Sequence, residues 1–414
     1  MIPRFINERR LRVYPCLVLL AVCVVQAFNI LYRQGWRGGL GQIIGLDFII
    51  LYTSGLLYRT DIAHLYDYPA QLAAERLLIR PTALPGSGPF SNPPFVAWAY
   101  SAITHMPLMW AFLLWSVLTL LFLFLAADLS VRYLTPPWLV KAGLTRSRLI
   151  IVLLSFWPFF GGFHAGQNHG LTLLLATGIT VACLSGRWYL AGASAGLLMY
   201  KPQFVLGFLI VWLIWREYKA LASFFAVTVV WAGAVVISHG FDPFLAYLST
   251  IDQILWLPFA EGWPAYLMAT PYGLLSTLLP QKLFPAVLWS TRLMTVAASV
   301  GIAWFAYRCR NASSSNRRPA TVFALLFPFM ATPYVLYHDL LTLVPVFLLL
   351  SADREEAGHL LYAAIFTYFG ALVLLLLGQK FNVALFVLIP AGLLALQLKS
   401  LKTMMIGRSD GMPG

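Results

Sequence analysis

The sequence predicts an all-α polytopic membrane protein, one transmembrane domain over residues 1–414 with about twelve spanning helices. Three observations carry this reading. Of 414 residues, 60% are hydrophobic and only 10% charged, whereas a soluble domain carries roughly a quarter charged. Mean hydropathy is +0.78. Apolar runs recur along the chain at about 17–25 residues, the length that crosses hydrocarbon. The runs do not alternate apolar with polar, so helices fit and a β-barrel does not.

Taken in order, Arg4, Arg9, Arg10 and Arg12 precede an apolar stretch from Tyr14 to Tyr32. No clear small-residue cleavage site follows, so this reads as an uncleaved first helix with its N-terminus inside. Further helices are expected over 108–129, 148–163, 168–185, 188–200, 203–215, 219–238, 284–306, 319–335, 340–352, 360–378 and 382–398. Several are short for a full span, as happens where a bundle encloses a wet cavity. Alternating from an inside N-terminus puts Arg132/Lys141/Arg146/Arg148, Arg187, Arg216/Lys219, Arg308/Arg310/Arg317/Arg318, Arg354 and Lys399/Lys402/Arg408 inside, as the positive-inside rule requires. Two long segments, 33–107 and 239–283, then lie outside. Residues 93–107 (PPFVAWAYSAITHMP) are apolar but short and closed by prolines at both ends, so they read as a juxtamembrane helix on the outer face. The C-terminal tail (GRSDGMPG) carries no pattern.

The net charge of +13 would suggest a nucleic-acid partner in a soluble protein. Here the basic residues sit between apolar runs and act as a topology signal, so membrane lipids are the expected partner and nucleic acid is not. The cysteines, Cys16, Cys23, Cys183 and Cys309, show no metal-ligand spacing and read as small packing residues. Trp36, Trp256 and Trp263 flank outer-face segments, where such rings form an interfacial belt.

With this topology the unusual polar residues converge on the outer side. Asp47 lies in GLDFIILY, just after the first helix; His164, Gln167, Asn168 and His169 form HAGQNHG between two short helices; Lys201 lies in YKPQF; His338 and Asp339 form YHD; Arg292 lies in the outer half of its helix. Ionisable groups at membrane depth are costly and usually face a pathway or pocket. A lone carboxylate can take the proton of an attacking hydroxyl. A Lys and an Arg can grip a phosphate, and Gln, Asn and His suit sugar hydroxyls. There is no Gly-rich phosphate loop and no His/Cys metal cluster, so neither metal nor cofactor is expected. Blander roles stand beside these: an interfacial anchor for Lys201, helix caps for Asp47, His164 and His169, a loop ion pair for Arg292, and structural loop roles for Asp61 and Asp67.

The order of these motifs resembles glycosyltransferase family 87. It runs Asp47–Phe48, Leu65–Tyr66–Asp67, Asn92–Pro93–Pro94, Gly166–Gln167–Asn168, Lys201–Pro202–Gln203, Pro333–Tyr334 and His338–Asp339. The resemblance covers roughly residues 40–345, and Asn92 replaces the Tyr usual in the Tyr–Pro–Pro element. It implies a GT-C membrane fold and an inverting, metal-independent transfer of a hexose, mannose in the first instance. The donor would be a polyprenyl-phosphate sugar at the periplasmic leaflet of a bacterial inner membrane, the acceptor a glycolipid or glycan. Residues 33–107 and 239–283 would then be periplasmic loops, with both termini cytoplasmic. Asp47 would be the general base, Lys201 and Arg292 the donor-phosphate grip, His338 a neighbour of donor or acceptor, and Gln167 and Asn168 pocket residues.

Two other readings stand beside the transferase. Short broken helices also suit a lipid or sugar transporter, though no internal repeat and no acidic residue deep inside a helix is present. A scaffold for other membrane enzymes would tolerate changes at every outer-face polar residue.

Overall fold

The structure is a computed structural model that describes residues 8–260, 263–310, 317–352 and 357–409. Arg4 and Arg354 of the expected inside clusters, and the tail beyond Ser409, lie outside the described residues. The described chain is helical, with isolated β-bridges and no strand longer than these. Each expected apolar segment forms a helix or a pair of helices, but the count of about twelve full spans is corrected. Five helices are long and apolar enough to cross a membrane: Arg12–Leu31, Leu108–Leu134, Tyr218–His239, Gln281–Cys309 and Tyr362–Phe381. A sixth counts if Arg146–Ser155 and Trp157–Ala165, bent by 66°, make one broken span. The bend falls where Phe156 is extended and Pro158 opens the next helix, since the residues beside a proline cannot continue a helix. The remaining apolar helices, such as His169–Leu184, Pro202–Trp215, Arg318–Ala331 and Tyr337–Leu350, have 10–17 residues. At 1.5 Å per residue, these reach only about 15–25 Å, short of the ~30 Å hydrocarbon core.

These short helices are the buried ones. His169–Leu184 buries His169, Thr172, Leu173, Ala176, Ile179, Thr180 and Cys183, among others. Small residues let its neighbours close up. Gly192 and Gly196 of Trp188–Leu197 lie against Ala220, Ser223 and Val227 of Tyr218–His239, the close approach that association in lipid relies on.

Three of the short helices have a basic residue at one end and a site residue, or the segment that holds one, at the other. Helix His169–Leu184 runs from His169 toward Arg187; Pro202–Trp215 runs from Lys201 to Arg216; Arg318–Ala331 runs from Arg318 to the segment holding Tyr334. At the basic end, Asp128 pairs with Arg132 at 2.9 Å and Arg146 at 3.3 Å, and Glu217 pairs with Arg317 at 3.2 Å.

At the other end, Leu46–Thr60, Tyr68–Leu78 and Pro94–Ser101 pack into a cap. The expected juxtamembrane helix is Pro94–Ser101, eight residues long. At about 12 Å it is too short to cross, and it buries Phe95, Val96, Ala97 and Tyr100. Asp67 caps Tyr68–Leu78, accepting from Ala70 N, and Asp61 pairs with His64 at 2.8 Å, the structural roles expected of both.

Candidate functional site

Asp47 sits in the first turn of Leu46–Thr60, where the partial positive charge of the helix start favours a carboxylate. The helix is entered through Gly45, left-handed at φ 71°, whose N–H donates to the His164 carbonyl at 2.9 Å. Gly45 rather than Asp47 is therefore the cap, and the carboxylate is left for another partner. Gln167 provides it: its Nε2 donates to Asp47 Oδ2 at 2.7 Å.

Gln167 is delivered by a second left-handed glycine. Helix Trp157–Ala165 ends at Gly166, φ 74°, and Gln167 N returns to the Gly162 carbonyl at 2.8 Å. A Cβ on Gly166 would lie 2.5 Å from Phe48 Cβ, so only glycine lets the two segments touch. Asn168 and His169 then start helix His169–Leu184. His169 is fully buried, its ring 5.1 Å from Phe159 and 6.3 Å from His338, and neither ring nitrogen has a partner among the described residues.

Lys201 interrupts two helical turns, Leu198–Tyr200 and Pro202–Phe204, because Pro202 forbids continuation. Its buried Nζ donates to Asp339 Oδ1 at 2.5 Å. The other Asp339 oxygen lies 3.8 Å from His338 Nε2. Thr342 Oγ1 donates to the Asp339 carbonyl at 2.8 Å. The ammonium uses one of its three protons on Asp339.

The two clusters adjoin. Burial pushes the Asp47 carboxyl up to about 6, opposed first by the Gln167 hydrogen bond and then by the Lys201 charge. Asp47 and Asp339 both oppose ionisation of Tyr334, although burial raises it most. Gln203 Nε2 donates to the Tyr334 carbonyl at 3.2 Å, so the Lys–Pro–Gln turn holds the Pro–Tyr turn. The structure thus brings together Asp47, Gln167, Lys201, His338 and Asp339, with Asn168 and His169 packed behind.

Two expected residues stand apart. His164 turns toward the first helix, its Nε2 3.5 Å from Asn29 Nδ2, and it anchors Gly45. Arg292 is exposed on its spanning helix with its guanidinium 5.0 Å from the Trp289 ring centroid, and no contact joins it to the cluster among the described residues. Sequence reasoning missed Trp263 and Tyr334 as neighbours of the site. The Pro333–Tyr334 pair was visible as a motif, while Trp263 read as one belt aromatic among many.

This fold and this site define a helical membrane protein with a half-buried carboxylate and a buried ammonium at one end of its bundle. A family model described as Glycosyltransferase family 87 matches residues 90–333, more than half of the chain. The chain belongs to that family and is a glycosyltransferase. No curated protein and no solved structure matches it significantly.

Proposed function

We propose that the protein transfers a hexose, mannose in the first instance, from a polyprenyl-phosphate sugar to a glycolipid or glycan acceptor at the periplasmic face of a bacterial inner membrane, with inversion and within a GT-C-type bundle. The observation that carries this is a carboxylate held by Gln167 at 2.7 Å within the field of the buried Lys201 ammonium, with burial raising the carboxyl to about 6. An acceptor hydroxyl gives its proton to Asp47 as its oxygen bonds the anomeric carbon. The bond from that carbon to the phosphate oxygen breaks, and polyprenyl phosphate leaves with the electron pair. Lys201, with protons beyond the one given to Asp339, neutralises the charge that grows on the phosphate. Gln167 aims the carboxylate, and Asp339 and His338 fix the lysine. Arg292, exposed over Trp289 with no contact to this cluster among the described residues, is given no part in the step.

Two features support the orientation. The basic clusters gather at the bundle end away from Asp47, as expected for a cytoplasmic side. A carboxyl titrating near the working pH is also what a general base requires. Membership of a glycosyltransferase family disfavours the transporter and scaffold readings. The test is reconstitution in liposomes with radiolabelled polyprenyl-phosphate mannose and a membrane glycolipid extract. Label should move to a new acceptor with the wild type and stay on the donor with Asp47→Asn; export of intact donor without transfer would refute the reading.

A further inference from the structure

Trp263 lies outside everything assigned so far. The outer edge of its six-membered ring, Cζ3 and Cη2, rests on Gly88, where an added Cβ would come within 3.2–3.3 Å of those atoms and 3.9 Å of Ile50 Cδ1. Ile50 is one helical turn beyond Asp47, on the same face of Leu46–Thr60. On its other side the Trp263 ring is 6.4 Å from the Tyr334 ring. Trp263 therefore links the Gly88 segment, beside the helix that carries Asp47, to the Tyr334 turn.

Backbone bonds fix this pair. Ala269 N donates to the Val335 carbonyl at 2.8 Å, Thr270 Oγ1 to the Pro333 carbonyl at 3.1 Å, and Met268 bridges Leu336. The facing segment is strapped too. Tyr68 OH donates to the Ser87 carbonyl and Tyr66 OH to the Asn92 carbonyl, each at 2.8 Å, and Phe90 N donates to Gln71 Oε1 at 2.9 Å. The indole N–H is nevertheless buried with no hydrogen-bond partner among the described residues. Buried indole N–H groups usually find one, and leaving one unmade is unfavourable.

We infer that Trp263 and Tyr334 form the wall against which the transferred hexose stacks, the indole N–H donating to one of its hydroxyls. The inference rests on the proposed donor. Gln203 of the Lys201 turn holds the Tyr334 carbonyl at 3.2 Å, and the charges of both Asp47 and Asp339 act on the Tyr334 hydroxyl, so Tyr334 stands on the site's side of the wall. A pyranose offers an apolar C–H face to such rings and a hydroxyl rim to a donor. The wall then discriminates among hexoses by the orientation of the hydroxyl that meets the indole.

The test uses the full chain carrying Asp47→Asn, so that bound donor is not consumed. Affinity is measured for polyprenyl-phosphate mannose and sugar-free polyprenyl phosphate, with polyprenyl-phosphate glucose as a third probe for discrimination. Trp263→Ala is expected to weaken the mannosylated probe about tenfold or more and leave the sugar-free probe unchanged. Trp263→Phe keeps a ring but no N–H, and decides the matter should the alanine variant not fold. It should weaken only the mannosylated probe, by about three- to tenfold, and narrow discrimination against the glucosylated one. Equal loss for both probes, or no loss for either, overturns the wall. Failure of the parent chain to bind either probe instead overturns the donor assignment, and the inference with it.

Discussion

Two carboxyl groups of the first outer segment are both raised by burial, and they serve different ends. Asp47 is half-buried at the start of Leu46–Thr60, held by Gln167 and within the field of Lys201, and titrates near 6. Glu75 is fully buried in Tyr68–Leu78, and neither of its oxygens has a hydrogen-bond partner. Burial lifts it to about 7, with only the neighbouring Ser87 hydroxyl opposing, out of hydrogen-bond geometry. Burial alone yields a carboxyl that keeps its proton and faces nothing. Burial with an aimed donor and a nearby cation yields one that can be ionised, oriented and reloaded. The aim and the nearby cation, rather than the raised titration alone, mark a base.

The largest effect should come from the proposed base. Asp47→Asn keeps shape and removes the proton acceptor, so transfer should fall about 10²–10⁴-fold while donor binding persists; single-turnover transfer with donor binding measured in parallel checks this. Next is the buried pair. Lys201→Met strands Asp339, and removing one partner of a buried pair costs about 3–5 kcal/mol. The double variant Lys201→Met/Asp339→Leu should recover the thermal midpoint but not the activity, which separates the phosphate grip from a packing role.

Gln167→Ala removes the bond that favours ionised Asp47. Transfer should drop about tenfold, and the acid limb of kcat/KM should move above its wild-type position near pH 6. An unmoved limb would detach Gln167 from the base. Glu75→Gln sharpens the contrast from the other side. Its folded value near 7 stands above the ordinary 4.5, so the folded state keeps a proton that the unfolded chain loses. Its stability contribution is whole below about 4.5, declines as pH rises toward 7 and stays low above it. Glu75→Gln should therefore stabilise the protein above pH 7, by on the order of 1–3 kcal/mol, and flatten the pH dependence of unfolding without changing transfer. The smallest effect belongs to Arg292→Ala, within about threefold of wild type, since its guanidinium lies on Trp289 away from the cluster.

The site was more legible in the sequence than the number of spans. Asp47, Gln167, Lys201, His338 and Asp339 announce themselves because polar groups are expensive among apolar runs, and the turns that hold them carry Gly and Pro. Span count depends on helix length, which hydropathy does not encode. The breaks at Phe156, at Lys201–Pro202 and at Thr332–Leu336 shorten helices whose composition alone suggests full crossings. The exposed position of Arg292 was illegible for a related reason: its face is set by how Gln281–Cys309 rotates against its neighbours, which hydropathy does not encode. Trp263 was hidden among a chain that is 15% aromatic, since nothing local distinguishes a belt ring from a wall ring.

The most direct test is the rate of sugar transfer against pH, for wild type and Asp47→Asn, in liposomes loaded with polyprenyl-phosphate mannose. The wild type should rise with unit slope to about pH 6 and then level, and Asp47→Asn should be flat and at least about a hundredfold slower. A variant that transfers at the wild-type rate, with the acid limb intact, would contradict the assignment of Asp47 as the base.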